Sequence, residues 1–196
     1  MTRPLFIAVE GMDGTGKSTL VASLAASLGA VSLRTPAEAL ASLRAPIDAC
    51  LAPSPVATQL FYAATVVLAS EQAREARDAG RTVLVDRYWA STVAYAACRA
   101  ANVDLGLLTS ALLEPDLTLY LTVDEEARAA RLARRTMTIA DRASLAQREA
   151  LRQAYDGALE AFPGRSLVRF DTSARSPEQC VSDALGIVAS MAGEAA

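Results

Sequence analysis

The chain has 196 residues with no histidine, a formal net charge of −3, 52% hydrophobic residues and 21% charged residues. This is the composition of a globular chain, and it excludes catalytic triads and metal sites that depend on histidine. Three single cysteines indicate neither a zinc site nor a disulfide framework. The acidic balance argues against a nucleic-acid polymer as partner. The lack of a long apolar run or export signal predicts a cytoplasmic protein without a membrane span.

Short apolar runs alternate with longer helical patterns along the chain. The apolar runs predict strands over residues 5–9, 31–34, 82–85, 117–123 and 167–170. The other patterns predict helices over 17–28, 37–51, 56–78, 90–101, 104–113, 125–134 and 143–161, with a last helix from 177. Such alternation is typical of parallel sheets. We therefore expect an α/β fold of three layers, a single domain over 1–196 whose strands, about five, are covered by helices on both faces.

The segment after the first predicted strand matches a phosphate-binding loop. Residues 11–18 have the sequence Gly-Met-Asp-Gly-Thr-Gly-Lys-Ser, which fits the pattern G-x-x-x-x-G-K-[ST]. Glycines let several backbone N–H groups face one anion, and the following helix directs its positive dipole end toward it. The pattern predicts a P-loop NTPase fold that binds the phosphates of a nucleotide together with Mg²⁺. Its nucleotide-binding residues would be Gly11, Met12, Asp13, Gly14, Thr15, Gly16, Lys17, Ser18 and Thr19.

Polar residues also follow the other predicted strands, at the edge where parallel sheets bind ligands. Asp86 ends the third strand and is predicted to hold Mg²⁺ together with Ser18. Arg87 comes next and could hold an acceptor phosphate through two hydrogen bonds, with Arg34 as a further phosphate ligand. Asp124 is expected to cap the next helix instead.

Arginines surround an irregular stretch near residues 136–140. They predict a lid at about 131–143 that closes cations over the transferring phosphoryl group, and a solvated helix face is the alternative. Arg142 is the preferred catalytic cation of this segment. Two aromatic residues near the predicted site, Phe61 and Trp89, could either stack on a base or belong to the core.

Three blocks of sequence resemble one enzyme family. Residues 6–19 contain Glu-Gly-Met-Asp-Gly-Thr-Gly-Lys, residues 82–95 contain Asp-Arg-Tyr followed by Ser and Ala-Tyr, and residues 115–124 precede the arginine-rich segment. In these blocks the chain resembles the thymidylate kinase family of nucleoside monophosphate kinases, over nearly its whole length. The resemblance implies a homodimer that transfers the γ-phosphoryl group of ATP·Mg²⁺ to dTMP or a related pyrimidine nucleotide.

The resemblance also implies a role for individual residues. The implied catalytic residues are Asp13, Lys17, Arg87 and Arg142, and Ser18 and Asp86 would bind the metal. Beyond the loop, Arg134 and Thr172 would approach ATP. The acceptor would contact Arg34, Phe61, Thr65, Arg87, Ser91, Thr92 and Tyr95.

The acceptor side departs from the family pattern at two places. Residues 34–39 are Arg-Thr-Pro-Ala-Glu-Ala where the family often has Arg-Glu-Pro-Gly-Gly-Thr, and Thr65 occupies the position of an arginine that contacts thymine. Three acceptors therefore stay open: another nucleotide, a nucleoside or a modified pyrimidine. The alternatives to a monophosphate kinase are a nucleoside kinase with Glu10 or Asp13 as base and a non-catalytic ATP-binding regulator.

Overall fold

The computed structural model describes residues 3–134 and 144–193, which form one parallel sheet of five strands flanked by helices. The strands are β1 (Phe6–Gly11), β2 (Val31–Arg34), β3 (Val83–Asp86), β4 (Leu117–Thr122) and β5 (Leu167–Asp171). Their order in the sheet is β2-β3-β1-β4-β5, and every pair of neighbours is parallel. The predicted five-stranded parallel sheet is confirmed.

Helices connect the strands and cover both faces of the sheet. They are α1 (Lys17–Leu28), α2 (Arg44–Leu51), α3 (Pro55–Asp78), α4 (Trp89–Cys98), α5 (Glu125–Ala133), α6 (Arg148–Ala161) and α7 (Pro177–Gly193). Short 3₁₀ helices occupy Glu38–Leu40 and Gly106–Ala111. Within the described ranges, no helix is both long and apolar enough to cross a bilayer.

The strand side chains alternate between two apolar cores, as the two-residue period of a strand requires. On one face, Ile7 and Val9 of β1 pack with Leu24 of α1 and Ala184 of α7. On the opposite face, the neighbouring side chains of β1 pack against α3, and Tyr120 of β4 packs with α4 and α6. The sheet is therefore covered on both faces, and its strand ends are the places where polar groups meet solvent.

Two predicted helices differ from the structure. The helix expected over 37–51 is replaced by the 3₁₀ turn Glu38–Leu40 and by α2, which begins at Arg44. Pro46 explains the break, because proline is tolerated in the first turn of a helix but clashes with the preceding turn in its interior. The α-helix expected over 104–113 is the 3₁₀ helix instead. There the hydroxyls of Thr109 and Ser110 donate to carbonyls three residues earlier and compete with α-helical bonding.

Strand register brings the polar strand ends together at one edge. Val9 of β1 is aligned with Asp86 of β3, and Arg34 of β2 is aligned with the same aspartate. Gly11, which ends β1, is aligned with Leu121 of β4. The phosphate-binding loop therefore leaves the centre of the sheet with β3 on one side and β4 on the other.

Candidate active site

The phosphate-binding loop contains glycines at positions where a side chain would clash or strain the backbone. Gly11 has φ 142°, and a Cβ there would lie 2.5 Å from the carbonyl oxygen of Leu121. Gly16 has φ 93° and forms the N-cap of α1. Positive φ angles are costly for residues with a side chain. The two glycines thus allow the loop to turn tightly from β1 into the N-terminus of α1.

Lys17 lies against the inner side of this loop. Its Nζ donates to the carbonyl oxygen of Met12 at 2.8 Å and to Oγ1 of Thr15 at 3.5 Å. Its exposed fraction is only 5%. Burial, together with repulsion from the nearby Arg87, lowers the pKa of Lys17 to about 7. Asp13, Asp86 and Glu10 oppose this shift without cancelling it. A bound phosphate would therefore stabilise the charged form of the Lys17 amine.

Ser18 and Asp86 form the second polar pair of the site. The Ser18 hydroxyl donates to Oδ2 of Asp86 at 2.5 Å. The other carboxylate oxygen, Oδ1, is buried and has no hydrogen-bond partner in the described part of the chain. A hydroxyl beside an unpartnered buried carboxylate oxygen fits a hard divalent cation. Residues 3–134 and 144–193 contain no group of three or more acidic or cysteine side chains placed to hold a metal ion.

Asp13 of the loop, Arg87 after β3 and Tyr95 of α4 form a charged group at the phosphate-binding loop. One carboxylate oxygen of Asp13 pairs with the Arg87 guanidinium, and the other accepts a 2.6 Å hydrogen bond from the Tyr95 hydroxyl. The guanidinium also lies 5.3 Å from the centre of the Tyr95 ring. A φ of 70° at Arg87 turns the chain sharply after β3. The arginine predicted to hold an acceptor phosphate is thus fixed next to the phosphate-binding loop.

Glu10 and Tyr155 support this group, and sequence reasoning gave them no such role. Glu10 is almost fully buried and accepts hydrogen bonds from the backbone N–H groups of Tyr88 and Ser91 and from the Ser91 hydroxyl. Burial raises the pKa of Glu10, although the Ser91 hydrogen bonds oppose the shift. The Tyr155 hydroxyl donates to the carbonyl oxygen of Gly11 at 2.8 Å. A glutamate that ends an otherwise apolar strand was a visible signal, whereas a tyrosine on an amphipathic helix gave none.

Two arginines of α5 brace the phosphate-binding loop. Arg128 is fully buried, and its Nε donates to the carbonyl oxygen of Asp13 at 2.8 Å. Arg131 donates to the hydroxyl and carbonyl oxygens of Thr172 at 2.9 and 2.7 Å. The Thr172 hydroxyl in turn contacts the carbonyl oxygen of Thr15. For Arg128, burial excludes the solvated helix face.

Of the predicted lid over 131–143, the structure describes residues 131–134. Arg134 is exposed at the C-terminus of α5, while Arg142 and the rest of the segment 135–143 lie outside the described residues. Asp124 does cap α5, as expected, by accepting a 2.7 Å hydrogen bond from the N–H of Ala127.

Two helices, α3 and α4, carry most of the predicted acceptor residues. Thr65 and Thr92 are buried, and Phe61 is half-buried with its ring edge-to-face on Tyr62 at 5.3 Å between centroids. The structure does not bring Arg34 into this group, since its guanidinium pairs with Glu38 on the surface at 2.7 Å. Trp89, the other aromatic residue considered for base stacking, is buried in the core with Phe6 and belongs to the packing.

Comparison with known proteins decides the family. A family model described as thymidylate kinase matches residues 9–184. A thymidylate kinase from Chlorobium luteolum is 32% identical over 188 residues, which covers 82% of this chain and 86% of the relative. The chain belongs to the thymidylate kinase family. A second relative of that name, from Halalkalibacterium halodurans, is 28% identical and covers 96% of this chain and 97% of its own length.

Solved structures show the same thymidylate kinase fold. The thymidylate kinase of Candida albicans matches with a TM-score of 0.74 at 21% identity and covers 97% of this chain and 93% of its own. That of Ehrlichia chaffeensis matches with a TM-score of 0.65 at 19% identity, covering 94% and 98%. The predicted family, the P-loop α/β fold and the assignment as an ATP-dependent nucleotide kinase are confirmed.

Proposed function

We propose that this chain transfers the γ-phosphoryl group of ATP to the phosphate of dTMP or a related pyrimidine nucleoside monophosphate. One observation carries the proposal: the Arg87 guanidinium, paired with Asp13, is held beside the loop that contains Lys17 and Ser18. Lys17, which would bind the phosphates of the donor nucleotide, and Arg87, which would bind the phosphate of the acceptor, therefore lie at the same edge of the sheet. The similar proteins from Chlorobium luteolum and Halalkalibacterium halodurans are named thymidylate kinases, which supports the same acceptor.

The chemistry needs positioning and charge neutralisation rather than a strong base. Arg87 would hold the acceptor phosphate, one oxygen of which attacks the γ-phosphorus as the bond to the β-phosphate oxygen breaks and ADP leaves. Lys17 would bind the β- and γ-phosphates and regain its proton in their field. Ser18 and Asp86 would hold Mg²⁺, which supplies charge neutralisation on the phosphates. The group Asp13, Arg87 and Tyr95 fixes the direction of attack.

Two observations favour a monophosphate over a nucleoside as acceptor. Glu10 already accepts hydrogen bonds from two backbone N–H groups and one hydroxyl, so it is not placed to remove a proton from a 5′-hydroxyl. Both carboxylate oxygens of Asp13 are already engaged, one by Arg87 and the other by the Tyr95 hydroxyl, so Asp13 is not placed to take that proton either. A guanidinium at this position suits an acceptor that carries its own negative charge. The complete set of Lys17, Ser18 and Asp86 also favours turnover over a purely regulatory role.

The remaining expectations extend this proposal. We propose that residues 1–196 form a single kinase domain and that a segment at about 131–143 is its lid. Arg142 would be the lid cation that closes on the transferring phosphoryl group. A homodimer is supported by α3, where Val56, Leu60 and Leu68 expose apolar side chains on one helical face. A reducing, cytoplasmic location is supported by the three free thiols at Cys50, Cys98 and Cys180.

An ADP-release screen tests the proposal. Purified protein with ATP and Mg²⁺ is assayed against dTMP, dUMP, dCMP, thymidine and deoxycytidine, with the Lys17→Ala variant as the control for contaminating kinases. We expect ADP formation with a pyrimidine monophosphate and none in the variant. Faster turnover with thymidine than with any monophosphate would establish the nucleoside kinase instead, and ATP binding without turnover on any acceptor would establish the regulator.

A further inference from the structure

The contact between α3 and α4 contains polar groups that phosphate chemistry does not use. We call this region, formed by Gln59, Tyr62, Thr65, Tyr95 and Arg99, the α3–α4 seam. Gln59 is fully buried, and its side-chain Nε2 donates to the carbonyl oxygen of Thr92 at 3.1 Å. Burying an amide side chain between two helices costs folding free energy unless both its N–H and its carbonyl groups have hydrogen-bond partners.

Thr65 does not supply a hydrogen-bond donor to this region. Its hydroxyl donates to the carbonyl oxygen of Tyr62 within the same helix at 2.7 Å. The hydroxyl proton is therefore already used, and the side chain is buried with 6% exposed. Any donor that recognises an acceptor base here must come from a neighbouring position.

Arg99 is the cation that meets this requirement. One of its terminal nitrogens donates to Oε1 of Gln59 at 3.0 Å, and its guanidinium lies 5.0 Å from the centre of the Tyr62 ring. Its Nε–H is buried and has no hydrogen-bond partner among the described residues. Within the same residues, no carboxylate forms an ion pair with it; the nearby Asp48 instead accepts the Tyr62 hydroxyl at 2.8 Å. The guanidinium is thus oriented but not neutralised.

Arg99 is the C-cap residue of α4, and this position connects it to the phosphate end of the site. Tyr95 and Arg99 are four residues apart and share one helical face, and Tyr95 contacts both Asp13 and Arg87. From Ser91 to Arg99 the helix advances about 12 Å. Phosphate and base lie at opposite ends of a nucleoside monophosphate. A phosphate at Arg87 therefore lets the base extend along this row toward Arg99.

We propose that Arg99, oriented by Gln59 and Tyr62, is a specificity-determining residue that donates to the carbonyl edge of the acceptor base. The inference rests on the proposed function and adds the residue that selects the base. A guanidinium carries only donors, so it favours a 4-oxo pyrimidine, whose O4 accepts, over a 4-amino pyrimidine, whose N4 donates. The arginine missing at position 65 is thereby replaced by one from the facing helix.

The Arg99→Met variant tests this assignment, because methionine keeps an unbranched apolar stem and loses every donor. We expect the KM for dTMP to rise by about tenfold or more and the preference for dTMP over dCMP to fall toward unity, with an unchanged KM for ATP. Arg99→Lys, which keeps the charge but loses the planar pair of donors, should retain part of the preference.

Arg44 offers a matched control. It also lies over Tyr62, at 6.0 Å, but its side chain is 47% exposed and belongs to α2. Arg44→Met should leave the dTMP to dCMP ratio unchanged. If Arg99→Met lowers only the thermal unfolding midpoint and keeps the wild-type ratio, Arg99 is merely structural and the proposal is wrong.

Calorimetric titration without ATP separates this inference from the proposed function. Wild-type and Arg99→Met proteins are titrated with dTMP and with dCMP. Tighter binding of dTMP that disappears in the variant supports Arg99 even if the wild-type protein shows no turnover, the result that would overturn the proposed function. Equal affinities of wild-type protein and variant for dTMP would overturn the role of Arg99.

Discussion

The two ends of the sheet differ in how completely their buried charged groups are paired. At the amino end, the Asp116 carboxylate accepts the Phe6 N–H at 2.9 Å and pairs with Arg3 at 2.8 Å, and Arg165 and Arg77 lie within 3.4 and 3.6 Å of it. At the carboxyl end, Lys17 donates to neutral loop oxygens and one oxygen of Asp86 has no partner among the described residues.

This difference distinguishes charged groups that stabilise the fold from charged groups that bind a ligand. A carboxylate with a complete set of donors contributes to folding, whereas groups held without complements are costly to the fold and become useful when a ligand supplies the opposite charge. Substitutions at the two ends should therefore move different quantities, stability at the amino end and turnover at the carboxyl end.

The largest effect is expected at Lys17. Lys17→Ala removes the only side-chain cation inside the phosphate-binding loop, and turnover should fall by about 10³-fold or more. The free energy of unfolding should stay the same or rise, because a buried, poorly compensated amine is lost. Steady-state ADP formation and thermal unfolding measure the two quantities. A variant that loses stability in parallel with activity would break the comparison.

Asp86→Asn should give the next largest effect. The amide keeps the side-chain volume but removes the negative charge, so turnover should fall by about 10- to 100-fold and the half-saturating Mg²⁺ concentration should rise. The unfolding midpoint should change little. A Mg²⁺ titration of the reaction rate measures the shift, and an unchanged titration curve would remove Asp86 from the metal site.

Asp116→Asn should show the opposite pattern. Losing the charge that faces the arginines at the amino end should lower the free energy of unfolding by about 2 kcal/mol, while kcat stays close to that of the wild type. Urea unfolding measures the loss. Glu149→Gln is the matched control, since its pair with Arg152 is exposed and should contribute almost nothing.

The smallest effect is a proton taken up when ATP binds. With a pKa of about 7 in place of 10.5, Lys17 is mostly neutral at pH 8 in the ligand-free protein. Phosphates favour the charged form, so binding at pH 8 should take up close to one proton, and below about pH 6 almost none. Calorimetry in two buffers of different ionisation enthalpy measures the uptake. In Lys17→Arg it should vanish, because arginine is already charged.

The lowered pKa of Lys17 also determines whether its contribution to the free energy of unfolding rises or falls with pH. Between about pH 7 and pH 10 the unfolded chain binds the lysine proton more readily than the ligand-free folded protein. The contribution of Lys17 to the free energy of unfolding therefore rises with pH over that window and is constant below it. Lys17→Ala should flatten this rise, and an identical pH profile in wild type and variant would contradict the lowered pKa.

Local sequence was sufficient to predict the donor side of the site. A phosphate-binding loop is made from consecutive residues and backbone groups, so residues 11–18 identify it with its neighbouring strand and helix. The five strands were visible as apolar runs for the same reason. The break in the second predicted helix is also encoded locally, because Pro46 is compatible with the first turn of α2 but not with the interior of a longer helix.

The acceptor side depends on contacts between residues far apart in sequence. Glu10 reaches Ser91, and Arg128 reaches Asp13, across separations of 81 and 115 residues. Arg99 acquires its orientation from Gln59, on another helix. No spacing rule links such positions in one sequence. Strand order and helix packing determine them, and these require the fold.

The scarcity of lysine also makes the site chemically addressable. Lys17 is the only lysine among the 196 residues, and the other 18 basic residues are arginines. Because its pKa is about 7, the Lys17 side chain is substantially unprotonated, and hence nucleophilic, at neutral pH. A small acylating reagent would therefore mark one internal position. Mass spectrometry of the labelled protein with and without ATP would measure the fraction of molecules whose phosphate-binding loop is occupied.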